Sequence, residues 1–205
     1  MDNLEHLFQT DFVSIGATFV KNYKDKKFIS STARYFAYIA SQMKCNAYFM
    51  TSIGNDEEGN EIINELEQKR YKNIKYLIER NASPTVMVSS YLNNKQFLYN
   101  FPEIDNWNTI PATDEKINII KYADVVYFDA LIMRSALAKN SIGKLLENTK
   151  NTAYKIFDMN LYNTTYTPQA LEYALSLANV VAVNERELLV LKDKLNIKYP
   201  HHKDI

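Results

Sequence analysis

Glycine is scarce in this sequence, which contains four glycines among 205 residues. An average content of about 7% would give roughly fourteen. Loops that cradle a phosphate group depend on glycine, because the backbone has to approach the anion closely. The chain therefore offers few positions for such a loop, namely Gly16, Gly54, Gly59 and Gly143.

The chain also has no excess of positive or negative charge, since it contains 24 basic and 24 acidic side chains. Surfaces dedicated to nucleic acid or to anionic membranes leave a basic excess, so we expect neither partner. The lone Cys45 excludes an internal disulfide bond and fits a reducing compartment. Apolar runs reach only about five residues, and Met1–Thr10 lacks the features of a signal peptide. We therefore expect a soluble, cytoplasmic protein.

Short apolar runs typical of buried strands alternate with segments of helical spacing along the whole chain. No repeat or linker interrupts this pattern, so we expect one domain over residues 1–205. The predicted strands are Phe12–Gly16, Ala47–Ile53, Asp124–Asp129, Tyr154–Met159 and Asn179–Val183. Predicted helices begin near Ser31 or Thr32, Asp56, Thr113, Ser135, Thr167 and Glu185. The alternation predicts an α/β fold, a parallel sheet covered by helices on both faces.

The middle of the chain has a different pattern, rich in β-branched and aromatic residues. Thr85–Leu92 and Gln96–Phe101 flank a turn at Asn93-Asn94, which predicts a β-hairpin over residues 85–101. We expect this hairpin at the edge of the sheet, as a lid or an interface flap. Its aromatic residues are interrupted by one positive charge, Lys95, which favours packing or a protein interface over stacking on nucleic acid. These aromatic residues are Tyr91, Phe97, Tyr99 and Phe101.

Polar residues follow several of the predicted strands at the same end. Ligands of open parallel sheets bind beyond the carboxyl ends of the strands, so this end is the candidate site. Carboxylates and amides there suit a metal–phosphate or a polyol ligand, although turns and helix caps use the same residue types. The residues are Gly16, Gly54 to Asp56, Asp129, Asp158 with Asn160, and Asn184 with Glu185 and Glu187.

Four motifs in a common order resemble those of the PfkB carbohydrate kinases, the ribokinase-like family that includes fructokinases. The resemblance runs from about Asp11 to Leu195. Residues 47–63 are similar to the family's strand, Gly-Asp-Asp-x-x-Gly turn and helix, and Pro84-Thr85 is similar to the start of its lid-to-core strand. Residues 157–160 resemble its Asp-x-Asn motif, and residues 178–187 its strand followed by Asn-x-x-Glu.

The resemblance implies two groups of site residues. Asp158, Asn160, Asn184 and Glu187 correspond to positions that organise magnesium and the transferred phosphate. Gly16, Ser30, Ser31, Tyr35, Gly54 and Asp56 correspond to the sugar site.

The sugar side departs from the family pattern. Ser30–Tyr35 stands where the family has Gly-Gly-x-Pro-x-Asn, and Lys44 replaces a glycine. The family's sugar-binding aspartate corresponds to a position near Lys21 or Asn22. The arginine that often follows the family's Asp-x-Asn motif corresponds to Tyr162. A fragment of an active enzyme would be expected to keep these residues.

The family's last third, with a Gly-Ala-Gly-Asp loop that carries the catalytic base and an anion hole, has no counterpart in the 205 residues. Loss of one preorganised set of donors costs about 10²–10³ in rate, and here several are missing together. We therefore expect a degenerate homologue, a pseudokinase with no catalytic residue and no tightly bound cofactor. The alternatives are a divergent or fragmentary sugar kinase that uses Mg-ATP, and a small-molecule binder on the same fold.

The last predicted helix carries leucines on more than one of its faces. A helix that is apolar all round is normally buried on both sides, so we expect it and the hairpin to contact another chain, either a copy of this one or a larger assembly. The leucines are Leu188, Leu189, Leu191 and Leu195. His201-His202 with Asp204 could bind a metal ion, but without a third ligand at suitable spacing we expect a solvated tail and no metal site.

Overall fold

The computed structural model describes residues 9–24, 26–68, 74–93, 96–101, 110–134, 136–162 and 166–194. The strands are β1 Asp11–Ile15, β2 Phe19–Tyr23, β3 Lys26–Ser30, β4 Asn46–Gly54, β5 Ile74–Asn81, β6 Met87–Asn93, β7 Gln96–Asn100, β8 Val125–Asp129, β9 Tyr154–Asp158 and β10 Val180–Ala182. The helices are α1 Thr32–Gln42, α2 Glu57–Gln68, α3 Asp114–Ile120, α4 Ala136–Glu147, α5 Pro168–Leu177 and α6 Glu185–Lys194, and a 3₁₀ helix covers Ala130–Met133.

Six parallel strands form the main sheet in the order β10-β9-β8-β1-β4-β5, which confirms the predicted α/β fold. Three helices begin directly after the residues that were predicted to cap them. The hydroxyls of Ser31, Thr113 and Thr167 accept hydrogen bonds from backbone N–H groups in the first turns of α1, α3 and α5. In the described part of the chain, no helix is both long and apolar enough to cross a membrane.

A second sheet of four strands, in the order β3-β2-β6-β7, lies apart from the main sheet. The predicted hairpin is present as the antiparallel pair β6 and β7. Its expected place at the edge of the main sheet is wrong, because β6 pairs with β2 instead. The polar segment Lys21–Lys27 contains half of the residues of the antiparallel pair β2 and β3. Sequence reasoning missed these strands because much of β3 is solvent-exposed and lacks the apolar run of a buried strand.

The two faces of the main sheet are covered in different ways. On one face, Val126, Phe128 and Phe157 pack with apolar residues of α3, α4, α5 and α6. On the other face, Ala33, Ala37 and Ala40 of α1 pack against the sheet. Small side chains allow α1 to approach the strands closely. The ring of Phe36 on α1 stacks on that of Tyr127 on β8, with centroids 4.4 Å apart.

A close packing contact joins Gly16, which follows β1, to Ala33 in the first turn of α1. A β-carbon on Gly16 would overlap the β-carbon of Ala33. The Ser14 hydroxyl donates a 2.7 Å hydrogen bond to the carbonyl oxygen of Ala33, and the Gly16 N–H donates to the Met50 carbonyl oxygen. Gly16 therefore sets the distance between α1 and the sheet.

We expect Gly16→Ala to lower the free energy of unfolding by about 2 kcal/mol, because the added methyl group overpacks this contact. Ala33→Gly alone should cost about 1 kcal/mol through helix propensity. The double variant should be no less stable than Ala33→Gly, since it removes the clash. Urea unfolding of the natural chain, the two single variants and the double variant completes this double-mutant cycle.

Gly143→Ala is the matched control, because a β-carbon there meets the movable hydroxyl end of the Tyr173 side chain. We expect a smaller loss than for Gly16→Ala. Equal losses for the two variants, or additive losses in the double variant, would contradict the role given to Gly16.

Candidate functional site

Carboxylates and an amide meet where β8 and β9 end. Asp129 and Asp158 occupy paired positions at the carboxyl ends of these neighbouring strands. The Asn160 N–H donates a 3.2 Å hydrogen bond to Asp158 Oδ1. The Asn160 side-chain amide donates a 3.0 Å hydrogen bond to Thr32 Oγ1 at the start of α1. The structure therefore brings Asp158 and Asn160 together with the first turn of α1.

Asp129 is the most deeply buried of these carboxylates. Its Oδ1 atom accepts hydrogen bonds from the N–H groups of Leu131 and Ile132, which caps the 3₁₀ helix. Burial, followed by the charge of Asp158, raises the pKa of Asp129 to about 7. We noted Asp129 in the sequence as one of several strand-end residues, but no motif assigned it a role.

Asp158 shares its environment with a tyrosine and a glutamate. The Tyr127 hydroxyl donates a 2.8 Å hydrogen bond to Asp158 Oδ2. Burial raises the pKa of Asp158, the Tyr127 hydrogen bond lowers it and the nearby charge of Glu187 raises it, with a net increase. Burial and the charges of Asp129 and Asp158 keep the pKa of Tyr127 above its ordinary value. The cluster therefore concentrates negative charge in a partly dry environment.

Asn184 and Glu187 form a capping box at the start of α6. Asn184 Oδ1 accepts hydrogen bonds from the N–H groups of Arg186 and Glu187, each at 3.0 Å. Glu187 Oε2 accepts from the Asn184 N–H at 2.9 Å. The other carboxylate oxygen of Glu187 accepts from the Leu161 N–H at 2.9 Å. Glu187 thus ties α6 to the loop after β9, and the capping alternative raised from the sequence describes the geometry of both residues.

Three residues matched to the family's sugar segment lie around the start of α1. Ser30 is the last residue of β3 and pairs with Phe19. Ser31 is the N-cap of α1, and its Oγ accepts a 3.2 Å hydrogen bond from the Arg34 N–H. Tyr35 is 61% exposed on α1. The structure thus uses these positions for pairing and capping, and leaves the Tyr35 side chain towards solvent.

Hydrogen bonds link Gly54 and Asp56 to Thr85. The Thr85 N–H and hydroxyl donate to the two Asp56 carboxylate oxygens, and the Gly59 N–H donates to Oδ1 at 2.8 Å. The Gly54 N–H donates a 3.0 Å hydrogen bond to the Thr85 hydroxyl. Burial alone would raise the pKa of Asp56, but these hydrogen bonds lower it below its ordinary value. Asp56 follows β4, which is three strands from β9 in the main sheet, so these two strands lie about 14 Å apart.

Aromatic rings join the second sheet to the loop after β9. The Phe101 ring lies 5.3 Å from that of Phe19 and 5.2 Å from that of Tyr162, and the Tyr99 ring lies 5.0 Å from that of Tyr162. The Tyr162 hydroxyl lies 3.3 Å from Thr32 Oγ1. Sequence reasoning recorded Tyr162 only as a departure from a motif and Thr32 only as a possible helix cap, and Phe19 carried no signal. The side chains of Tyr91 and Phe97 lie outside the described part of the structure.

The predicted interface leucines of α6 differ in their surroundings. Leu191 packs in the main core, because one face of α6 lies against the domain itself. Leu188 is half-buried, and Leu189 is 58% exposed. Leu195, His201, His202 and Asp204 lie outside the described residues. Within the described ranges, no group of three His, Cys, Asp or Glu residues could hold a metal ion.

A family model for the pfkB family of carbohydrate kinases matches residues 36–201. The chain therefore belongs to the PfkB carbohydrate kinase family. A search of curated proteins found no match to this sequence.

Solved structures share the fold at low sequence identity. An uncharacterized sugar kinase from Pyrococcus horikoshii has 20% identity and a TM-score of 0.77 over 90% of this chain and 66% of its own. A fructokinase with bound ATP from Xylella fastidiosa has 15% identity and a TM-score of 0.75 over 92% of this chain and 66% of its own. The fructokinase of Halothermothrix orenii has 14% identity and a TM-score of 0.72. The chain thus spans about 66% of the length of the first two.

We expect the unfolding free energy to fall between about pH 4 and pH 7, because folded Asp129 retains a proton in this range that the unfolded chain releases near 3.8. The Asp129→Asn variant stays neutral, so its unfolding free energy should lack the pH dependence that comes from Asp129. The difference in unfolding free energy between this variant and the natural chain should therefore shift in favour of the variant by on the order of 3 kcal/mol from pH 4 to pH 7. Urea unfolding at several pH values measures the difference. Asp114→Asn, which removes an exposed carboxylate, is the control.

We expect Glu187→Ala to lower the unfolding free energy by about 2–3 kcal/mol, because the N–H groups of Asn184 and Leu161 lose their acceptors. Glu185→Ala is the matched control, since Glu185 is exposed in the same helical turn and should cost at most about 0.5 kcal/mol. Chemical unfolding compares the two. Equal effects would show that the capping box adds nothing.

Proposed function

We propose that this PfkB-family chain does not transfer phosphate to a sugar by itself and that it acts through contact with protein. The observation that supports this most directly is that the polar groups at the matched sugar positions form hydrogen bonds within the fold. Both carboxylate oxygens of Asp56 accept hydrogen bonds from Thr85 or Gly59, and the Ser31 hydroxyl caps α1. Recognition of a sugar needs polar groups directed into a pocket, whereas these are engaged within the fold.

The second sheet adds a further difference on the sugar side. Lys21 and Asn22, near which the family's sugar-binding aspartate falls, lie on β2. The Lys21 ammonium group lies 5.9 Å from the centroid of the Phe28 ring and 6.0 Å from that of Tyr99. A cation beside aromatic rings cannot accept hydrogen bonds from sugar hydroxyls as a carboxylate does.

The phosphate side keeps its motif residues, but the fold uses their hydrogen-bonding atoms. Glu187 and Asn184 cap α6, and Asp158 accepts from Tyr127 and Asn160. Within the described residues, no group of three His, Cys, Asp or Glu side chains could hold a metal ion by itself, whereas magnesium can be bound by one or two carboxylates together with phosphate groups. Asp158 and Glu187 would at most add oxygens to an ion held mainly by phosphate groups.

The alternative, a divergent sugar kinase that uses Mg-ATP, is favoured by one specific observation. Asp158 and Glu187 are close enough for the charge of Glu187 to raise the pKa of Asp158. Two carboxylates in this relation suit a cationic ligand. A structural neighbour from Xylella fastidiosa is described as a fructokinase with bound ATP.

We expect the purified chain to form no ADP above background when Mg-ATP is mixed with a panel of hexoses and pentoses. An active fructokinase serves as the positive control, and circular dichroism shows that the chain is folded. ADP formation that requires a sugar, is lost in Asp158→Asn and is retained in Asp114→Asn would contradict the proposal and support the divergent kinase.

A further inference from the structure

We propose that the Tyr162 side chain is an internal latch, which holds the second sheet closed against the main sheet by filling the space in which a ligand would otherwise lie. The latch has two parts. The ring of Tyr162 packs on aromatic residues of the second sheet, and its hydroxyl reaches the first turn of α1. The proposal rests on the proposed function, which leaves this cleft without a sugar, and adds what fills the cleft.

Tyr162 lies beyond the carboxyl end of β9, the end at which open parallel sheets bind their ligands. Asn160 has a φ angle of 33°, in the left-handed region that turns the chain sharply. The N–H group of the next residue, Leu161, donates a 2.9 Å hydrogen bond to Glu187 on α6. The backbone is therefore fixed at the two residues that precede Tyr162.

Three aromatic rings contact the ring of Tyr162 from the second sheet. Their centroids lie 5.0 Å away for Tyr99 on β7, 5.2 Å for Phe101 after β7, and 6.4 Å for Phe19 at the start of β2. All three contacts are edge-to-face, an arrangement that aromatic pairs prefer. Since β6 lies between β2 and β7 in the second sheet, one side chain contacts residues from both sides of β6.

The hydroxyl of Tyr162 belongs to a polar network at the main sheet. It lies 3.3 Å from Thr32 Oγ1, which also accepts a 3.0 Å hydrogen bond from the Asn160 side-chain amide. Burial raises the pKa of Tyr162, hydrogen bonds with Thr32 and Asn160 lower it and the charge of Asp129 raises it, with a net increase. The neutral hydroxyl thus joins the second sheet to α1 and to the loop after β9.

The surroundings of Tyr162 are those of a ligand site. Ligand pockets combine apolar and aromatic walls with a few polar groups that fix orientation. Tyr99 and Phe101 provide such walls and are themselves half-buried, and Thr32 with Asn160 provides the polar end. A tethered side chain loses no translational freedom on entering this space, so a free ligand would have to displace it.

The second sheet also has an attachment that does not involve Tyr162. Val20 on β2 packs with Ile53, which lies on β4, and with Ile62 and Leu66 on α2. β7 is the edge strand on the other side of the second sheet, next to the latch. Removal of the Tyr162 side chain should therefore loosen β7 while β2 stays in place.

Hydrogen exchange of the full chain, followed by mass spectrometry, provides the test. We expect Tyr162→Ala to speed amide exchange at β7 at least ~10-fold, whereas exchange at α4 and β8 should stay unchanged. Tyr162→Phe keeps the ring contacts and loses the hydroxyl, so its exchange rate at β7 should lie between those of Tyr162→Ala and the natural chain. Tyr173→Ala is the matched control, because Tyr173 is a half-buried tyrosine that packs at the margin of the main core on α5. Its effect on exchange at β7 and β8 should be the same.

The space left by Tyr162→Ala can be probed with p-cresol, which has the shape of a tyrosine side chain. At millimolar concentration p-cresol should return exchange at β7 of this variant to within ~3-fold of the natural rate. By calorimetry, it should bind Tyr162→Ala at least ~10-fold more tightly than the natural chain, in which the space is filled. Toluene lacks the hydroxyl and should bind the variant more weakly than p-cresol.

Equal acceleration of exchange at β7 and β8 in Tyr162→Ala would make Tyr162 an ordinary core residue and overturn the proposal. Equal binding of p-cresol to the variant and to the natural chain would also overturn it. If circular dichroism shows Tyr162→Ala to be unfolded, Tyr162→Leu, which keeps more of the apolar volume, takes its place in the same exchange comparison. Sugar-dependent ADP formation by the natural chain would contradict the proposed function, whereas the exchange and p-cresol results decide on the latch itself.

Discussion

The contact between Gly16 and Ala33 is the constraint on which the rest of this structure depends. It fixes how closely α1 lies on the sheet, because a β-carbon on Gly16 would overlap that of Ala33. The same helix begins directly after β3 of the second sheet, and Thr32 in its first turn accepts from Asn160 of the strand-end cluster. One close packing contact therefore links the positions of the second sheet and the carboxylate cluster.

The strand-end cluster shows how family motifs can be kept for reasons of stability. Asp129 and Asp158 lie in a region where charge is costly, and each accepts hydrogen bonds that lower this cost. Glu187 joins α6 to the loop after β9 through two backbone N–H groups. Loss of any of these carboxylates would leave buried donors unsatisfied. Selection for a folded domain alone would therefore preserve the Asp-x-Asn and Asn-x-x-Glu motifs.

Local patterns predicted much of the fold, and long-range contacts account for what they missed. Caps at Ser31, Thr113 and Thr167 were predictable because the capping hydroxyl lies within a few residues of its donor. The pairing of β2 with β6 was not predictable, because it joins residues far apart in the sequence. For the same reason the sequence located Asp56 at a turn but could not reveal Thr85, 29 residues away, as its partner.

Tyr127 connects the carboxylate cluster with α1. Its hydroxyl donates to Asp158 and its ring stacks on Phe36, so one buried side chain touches both the strand-end site and the helix. Protein interiors are closely packed, and a shift of α1 by a fraction of an ångström has to be taken up by its neighbours. A shift of Phe36 would therefore reach the ring whose hydroxyl supports Asp158. The position of α1 and the geometry of the strand-end site are thus linked through a single residue.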